Sequence, residues 1–73
     1  MRVSRLYVSV NLSLDKYVEL DEENGHYVRA VLRLKKDAEI ILFNGQGGEY
    51  LCTISEVSRK LVMVLVNKWL DRC

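Results

Sequence analysis

His26, Arg29 and Arg33 form the pattern in this 73-residue chain that most resembles chemistry. On a helix advancing about 100° per residue they fall within roughly 60° of one another, away from the apolar positions. Two guanidinium groups and an imidazole so placed could grip phosphates, and a flat ring or arginine plane could stack on a base. The same spacing also describes a plain solvated face, with Glu22 pairing to His26 or Arg29. Composition alone favours the solvated face, narrowly.

Charge segregation sharpens the first reading. The net charge is only +1, yet residues 19–25 hold Glu19, Asp21, Glu22 and Glu23 with no base. Residues 26–36 then hold Arg29, Arg33, Lys35 and Lys36 with no acid. A neutral total therefore conceals a local basic patch able to meet a polyanion. Arg2 and Arg5 add cations around the first apolar stretch, although basic residues near a terminus are commonly just solvated.

Other candidates have simpler explanations. Gly45-x-Gly47-Gly48 joins two predicted strands and opens no helix, so it lacks the N-terminus that cradles phosphate; it reads as a hairpin turn. Cys52 could pair with His26 only by leaving an alternating strand, where a small core residue is expected. The acids at 19–23 are explained by a helix start. Tyr50 and Trp69 read as packing residues, an exposed Trp69 being instead the mark of a surface that another domain covers. No catalytic constellation, metal cluster or cofactor loop is present in the sequence.

The elements that must position these groups follow from periodicity. Residues 4–10, 16–20, 38–43, 49–57 and 61–66 read as strands, the last continuously apolar as if covered on both faces. Asp21 is a good N-cap for a helix of about three turns, with Glu22 and Glu23 in its first turn and Tyr27, Val28, Val31 and Leu32 as its apolar stripe. Gly25 weakens that first turn by about 1 kcal/mol. Asn44 and Gly45 suit a tight turn, and Tyr7 and Phe43 read as core. The predicted fold is mainly β: a small barrel of about five strands, or a strongly curled sheet, with one α-helix plugging an end.

Size and composition make residues 1–73 a single domain with a thin core, since so short a chain buries only about 60% of its unfolded surface. At 49% apolar and 29% charged it is an ordinary globular composition. No apolar run approaches the ~20 residues of a membrane span, and the start lacks the apolar core of a signal peptide. A cytoplasmic location without membrane contact is the expectation, in which Cys52 and Cys73 are reduced thiols rather than a disulfide.

Taken in order, Met1-Arg2-x-x-Arg5-x-Tyr7, His26-x-x-x-x-Val31-Leu32-Arg33, Leu42-Phe43-Asn44-Gly45 and Gly48-x-Tyr50 resemble the N-terminal region of the RsmE family. These enzymes methylate a uridine at ring nitrogen three in small-subunit ribosomal RNA. The resemblance runs from Met1 to about Val66, and joint order and spacing carry it more than any one short motif. It implies a PUA-like β-barrel that helps hold ribosomal RNA. It also implies a following SPOUT-type domain, unmatched here, that binds S-adenosylmethionine and dimerises. The chain itself is then expected to bind no cofactor or metal, to carry no catalytic residue, and to be a fragment or truncated product ending near a domain junction. Arg2, Arg5, His26, Arg33, Asn44 and Gly45 fall on the family's motif positions and become candidates for RNA contact. Arg29, Lys35 and Lys36 join them from charge and helix geometry. The chain departs from the family at Leu34-Lys35-Lys36-Asp37, where relatives place a glycine after the helix.

Two other classes remain. The apolar run Leu61–Val66 with Trp69 and Leu70 could make this a protein-interaction or dimerisation barrel with no RNA role, any dimer forming through that strand or through the missing domain. A free-standing enzyme is the third class, and nothing in the sequence supplies its nucleophile or base.

Overall fold

Alternation along the strands builds the core. Leu6 and Val8, Ile40 and Leu42, Cys52 and Ile54, and Val62, Val64 and Val66 are all buried, and they merge into one cluster with Val18, Leu20 and Val28. In the computed structural model, which describes residues 3–46 and 48–70, these residues belong to β1 (Ser4–Tyr7), β2 (Tyr17–Glu19), β3 (Glu39–Phe43), β4 (Glu49–Val57), β5 (Val62–Leu70) and the segments flanking them. The strand order is β1-β3-β4-β5-β2. β1 runs parallel to β3, with Tyr7 opposite Phe43, and the other pairs are antiparallel.

The mainly-β expectation holds, with one correction. β1 and β2 are the two outer strands of the sheet, so the predicted barrel is not closed by strand pairing. These edges span only four and three residues, and the helix packs at the end of the sheet. Asp21 caps α1 (Glu22–His26) by accepting from the Asn24 amide at 2.9 Å. The Asn24 side chain donates to the Tyr7 carbonyl at 2.7 Å, while the Leu20 amide donates to the Val62 carbonyl at 2.9 Å. The sheet curls far enough for the end of β1 and the start of β5 to meet one helical turn.

The helix departs from the predicted three regular turns. Tyr27–Val31 form a π-helical turn, in which the Leu32 amide reaches back to the Tyr27 carbonyl. A π turn advances less per residue than an α turn. Val28 stays buried, but Tyr27 and Val31 are turned to solvent, so the expected four-residue stripe is not formed. Arg33 then leaves the helix with φ 54°, and the Leu34 amide closes the end on the Val28 carbonyl at 3.0 Å. A left-handed residue at this place is the usual way to stop a helix, ordinarily with glycine.

β5 continues to Leu70, beyond the predicted end at Val66, because its last residues pair with the start of β4: Lys68 with Leu51, Trp69 with Tyr50 and Leu70 with Glu49. Polar Asn67 and Lys68 break the apolar run without breaking the ladder. β1 stops earlier than expected, at Tyr7, and Tyr7 itself is exposed rather than core.

Candidate functional site

Two cationic regions emerge, and they differ from the single helix face that the spacing predicts. One is the corner where β1, the end of β3 and the start of β4 meet. Period-2 alternation turns Arg5 and Tyr7 away from the core that Leu6 joins. The Arg5 guanidinium forms an ion pair with Glu49 and lies 5.7 Å from the centre of the Phe43 ring. Glu49 is only 3% exposed, whereas the Arg5 side chain is 56% exposed. One carboxylate oxygen, Oε1, has no hydrogen-bond partner among the described residues. Tyr7 meets Phe43 edge to face at 5.7 Å between ring centres.

The loop beneath this corner is tied down. Asn44 donates to the Val10 carbonyl at 3.1 Å and accepts from the Gln46 amide at 3.2 Å. That second bond is an Asx turn, a sufficient structural reason for Asn44. Gly45 (φ 78°) and Gly48 (φ 75°) both take left-handed backbone. At Gly48 a Cβ would run into the Trp69 indole nitrogen, so any side chain there must displace the ring.

The second region surrounds the helix exit. Lys35 and Lys36 are exposed and line a groove of about 510 Å³ with Leu34, Ser55, Glu56 and Val57. A separate groove of about 300 Å³ brings His26 and Arg29 beside Arg59 and Lys60, with Asp21 and Glu22 also on its wall. Arg29 is committed there: its Nη1 donates to the Ser58 and Arg59 carbonyls, each at 3.2 Å. That contact braces the helix against the turn between β4 and β5.

The expected grouping of His26, Arg29 and Arg33 on one helix face is therefore corrected. His26 and Arg29 still line one groove, but Arg29 spends its guanidinium on the turn between β4 and β5, and the left-handed Arg33 leaves the helix. His26 is exposed, as is Arg33. Arg5, Asn44 and Gly45 are brought together at the corner, and Arg2 lies outside the described residues. Glu49, Arg59 and Lys60 were not singled out from the sequence. Arg59 and Lys60 had a visible signal, a second basic pair, but their turn gave no reason to place them beside the helix. Cys52 is buried, and burial pushes its thiol from the ordinary 9.0 up to about 12, offset slightly by a backbone hydrogen bond at Leu42. A thiol so held stays protonated at neutral pH, which removes it as a nucleophile.

A curled five-stranded sheet with one short helix packed at its end, carrying two cationic regions, defines a small mainly-β domain. The chain belongs to the RNA methyltransferase PUA domain family, whose model matches residues 20–66. Its relatives agree with the resemblance noted from the motifs. It is 33% identical over 73 residues to ribosomal RNA small subunit methyltransferase E of Rickettsia conorii, covering 99% of this chain and 30% of that protein. It is 30% identical to the enzyme of the same name from Buchnera aphidicola, covering 92% of this chain and 26% of that one. Among solved structures, a Legionella pneumophila protein described as a methyltransferase with bound SAM superposes at a TM-score of 0.91 with 31% identity, over 97% of this chain and 29% of that one. The Neisseria gonorrhoeae methyltransferase E, bound to S-adenosyl methionine, shares the fold at a TM-score of 0.87 and 22% identity, over 97% of this chain and 30% of that one. The chain thus spans less than a third of the length of these relatives. No helix among the described residues is long and apolar enough to cross a membrane.

Proposed function

We propose that this domain holds small-subunit ribosomal RNA for an S-adenosylmethionine-dependent uridine-N3 methyltransferase domain borne on another part of a longer, cytoplasmic protein. The observation that supports it is the match to the RNA methyltransferase PUA domain family over residues 20–66. The exposed Lys35, Lys36, Arg59 and Lys60 supply the positive charge such a role needs. The described grooves are lined by a mixture of charged and apolar residues, and this reading assigns S-adenosylmethionine to another part of the protein. Catalysis, cofactor binding and dimerisation fall to the remainder of the protein.

Fluorescence anisotropy of a labelled small-subunit ribosomal RNA fragment, titrated at several salt concentrations, tests this reading. Saturable binding is expected, with log K falling against log salt and the slope shrinking by about one per phosphate-contacting lysine removed. In Lys35→Ala/Lys36→Ala the slope shrinks by up to two. Absence of binding at low salt would refute the reading.

A second reading has its own observation. Trp69 is 47% exposed at the end of β5, consistent with a surface that another domain or a second copy covers. Association that depends on concentration, disappears in Trp69→Ala and is indifferent to RNA would favour that role.

A further inference from the structure

We infer that Glu49 is a positioning residue: it fixes Arg5 at the corner beside Tyr7, making the two side chains an anchor for one unpaired nucleotide of the bound RNA. The inference rests on the RNA-binding reading and specifies where on the domain a nucleotide is taken.

A buried carboxylate is costly unless it is paired. Glu49 is almost fully enclosed, and its described partner is Arg5, a side chain that is itself more than half exposed. The pairing is thus lopsided, with a buried anchor holding a surface cation. Stability alone is served as well by an apolar residue at position 49, since neighbouring Ile41 and Leu51 on that face are apolar. What the carboxylate adds is orientation. One end of the guanidinium is held by Glu49, Phe43 lies near it, and the side chain stays more than half exposed, which leaves N–H groups open to a ligand. A planar fork held this way loses little conformational entropy on binding an anion.

Tyr7 supplies the other half. Tyr7 is 54% exposed, and its ring is set by the edge contact with Phe43. A Cβ built at Gly45 would lie 3.7 Å from a carbon of that ring, so the turn runs alongside Tyr7. A half-exposed ring of fixed orientation is a stacking platform for an unstacked base, and an arginine two residues away on the same side of the strand is placed for the adjoining phosphate. The register also sets Arg5, Ile41, Leu51 and Lys68 in one row across β1, β3, β4 and β5, bringing a second cation to that face.

The sign of one effect separates positioning from plain electrostatics. Removing a negative charge from an RNA-binding surface strengthens binding if the charge acts only at a distance. If Glu49 positions Arg5, removing it weakens binding despite the gain in positive charge. The experiment measures affinity of the chain for an unstructured small-subunit ribosomal RNA segment in wild type, Arg5→Ala, Tyr7→Ala, Glu49→Gln and the Arg5→Ala/Glu49→Gln pair. Thermal melts confirm folding of each. The expected result is about tenfold weaker binding in Arg5→Ala and in Tyr7→Ala, about threefold in Glu49→Gln, and no further loss in the pair. Glu49→Gln keeps the side-chain shape and one acceptor, so it removes the charge with the least disturbance to the fold. Unchanged or tighter binding in Glu49→Gln overturns the positioning role, and wild-type affinity in Arg5→Ala and Tyr7→Ala overturns the anchor while leaving the RNA reading intact. Wild-type protein that binds no RNA overturns both.

Discussion

The corner around Arg5 and the exit of the helix use arginine in opposite ways. At the corner, a buried carboxylate and an aromatic ring hold an exposed guanidinium in place. At the helix exit, Arg29 spends its guanidinium on two backbone carbonyls, and the exposed Arg33 occupies a left-handed position that suits glycine better. Charge counting ranks the helix exit first, with four bases in eleven residues. Geometry ranks the corner first for precision, because a cation binds selectively only when its direction is fixed by its neighbours. In the proposed reading, the exposed Lys35 and Lys36 at the helix exit would add diffuse attraction.

This contrast can be broken at several points. The largest effect is expected at Gly48, which supports the corner: Gly48→Ala adds a Cβ into the Trp69 ring on top of positive φ. A loss of about 2–3 kcal/mol is expected in urea unfolding, and a loss under 0.5 kcal/mol would show that Trp69 moves aside freely. Arg29→Ala should cost about 1–2 kcal/mol through its two carbonyl bonds while changing RNA affinity little. A large affinity loss without destabilisation would return Arg29 to the binding surface. Arg33→Gly should raise stability by up to about 1 kcal/mol, by relieving the left-handed arginine, and a drop would mean its side chain makes a contact worth more than the relief.

The effect that is absent near neutral pH lies in the core, at Cys52. The buried Cys52 thiol titrates at about 12, above its ordinary 9.0. The unfolded chain therefore releases this proton first as pH rises. Its contribution to stability is intact below pH 9.0 and declines between 9.0 and about 12. Replacing Cys52 with alanine should flatten that stretch of the stability–pH curve, and an unchanged curve would mean other groups set it.

Much of the frame was legible in the residues. β4 was read with its true bounds because alternation persists from Tyr50 to Ile54, and the helix start was marked by Asp21 with Glu22 and Glu23 behind it. The motif order pointed to the family that the comparisons show. Three features were hidden for physical reasons. A π turn leaves no mark in α-helical spacing, so that spacing puts Val31 in the core and Arg29 on an outward face. Polar Asn67 and Lys68 masked the end of β5, although its backbone ladder does not depend on side-chain polarity. Glu49 looked like any strand acid, because nothing local reveals that Arg5, 44 residues earlier, reaches it.

The most direct test of the central claim is an amide chemical-shift titration of the isotopically labelled domain with a small-subunit ribosomal RNA fragment. The account predicts fast, salt-sensitive shifts concentrated at Arg5–Tyr7, Phe43–Gly45 and Lys35–Lys36, with the Trp69–Leu70 end of β5 largely still. An unchanged spectrum at low salt, or shifts confined to Trp69 and Leu70, would contradict it and leave this domain as a protein-contact module.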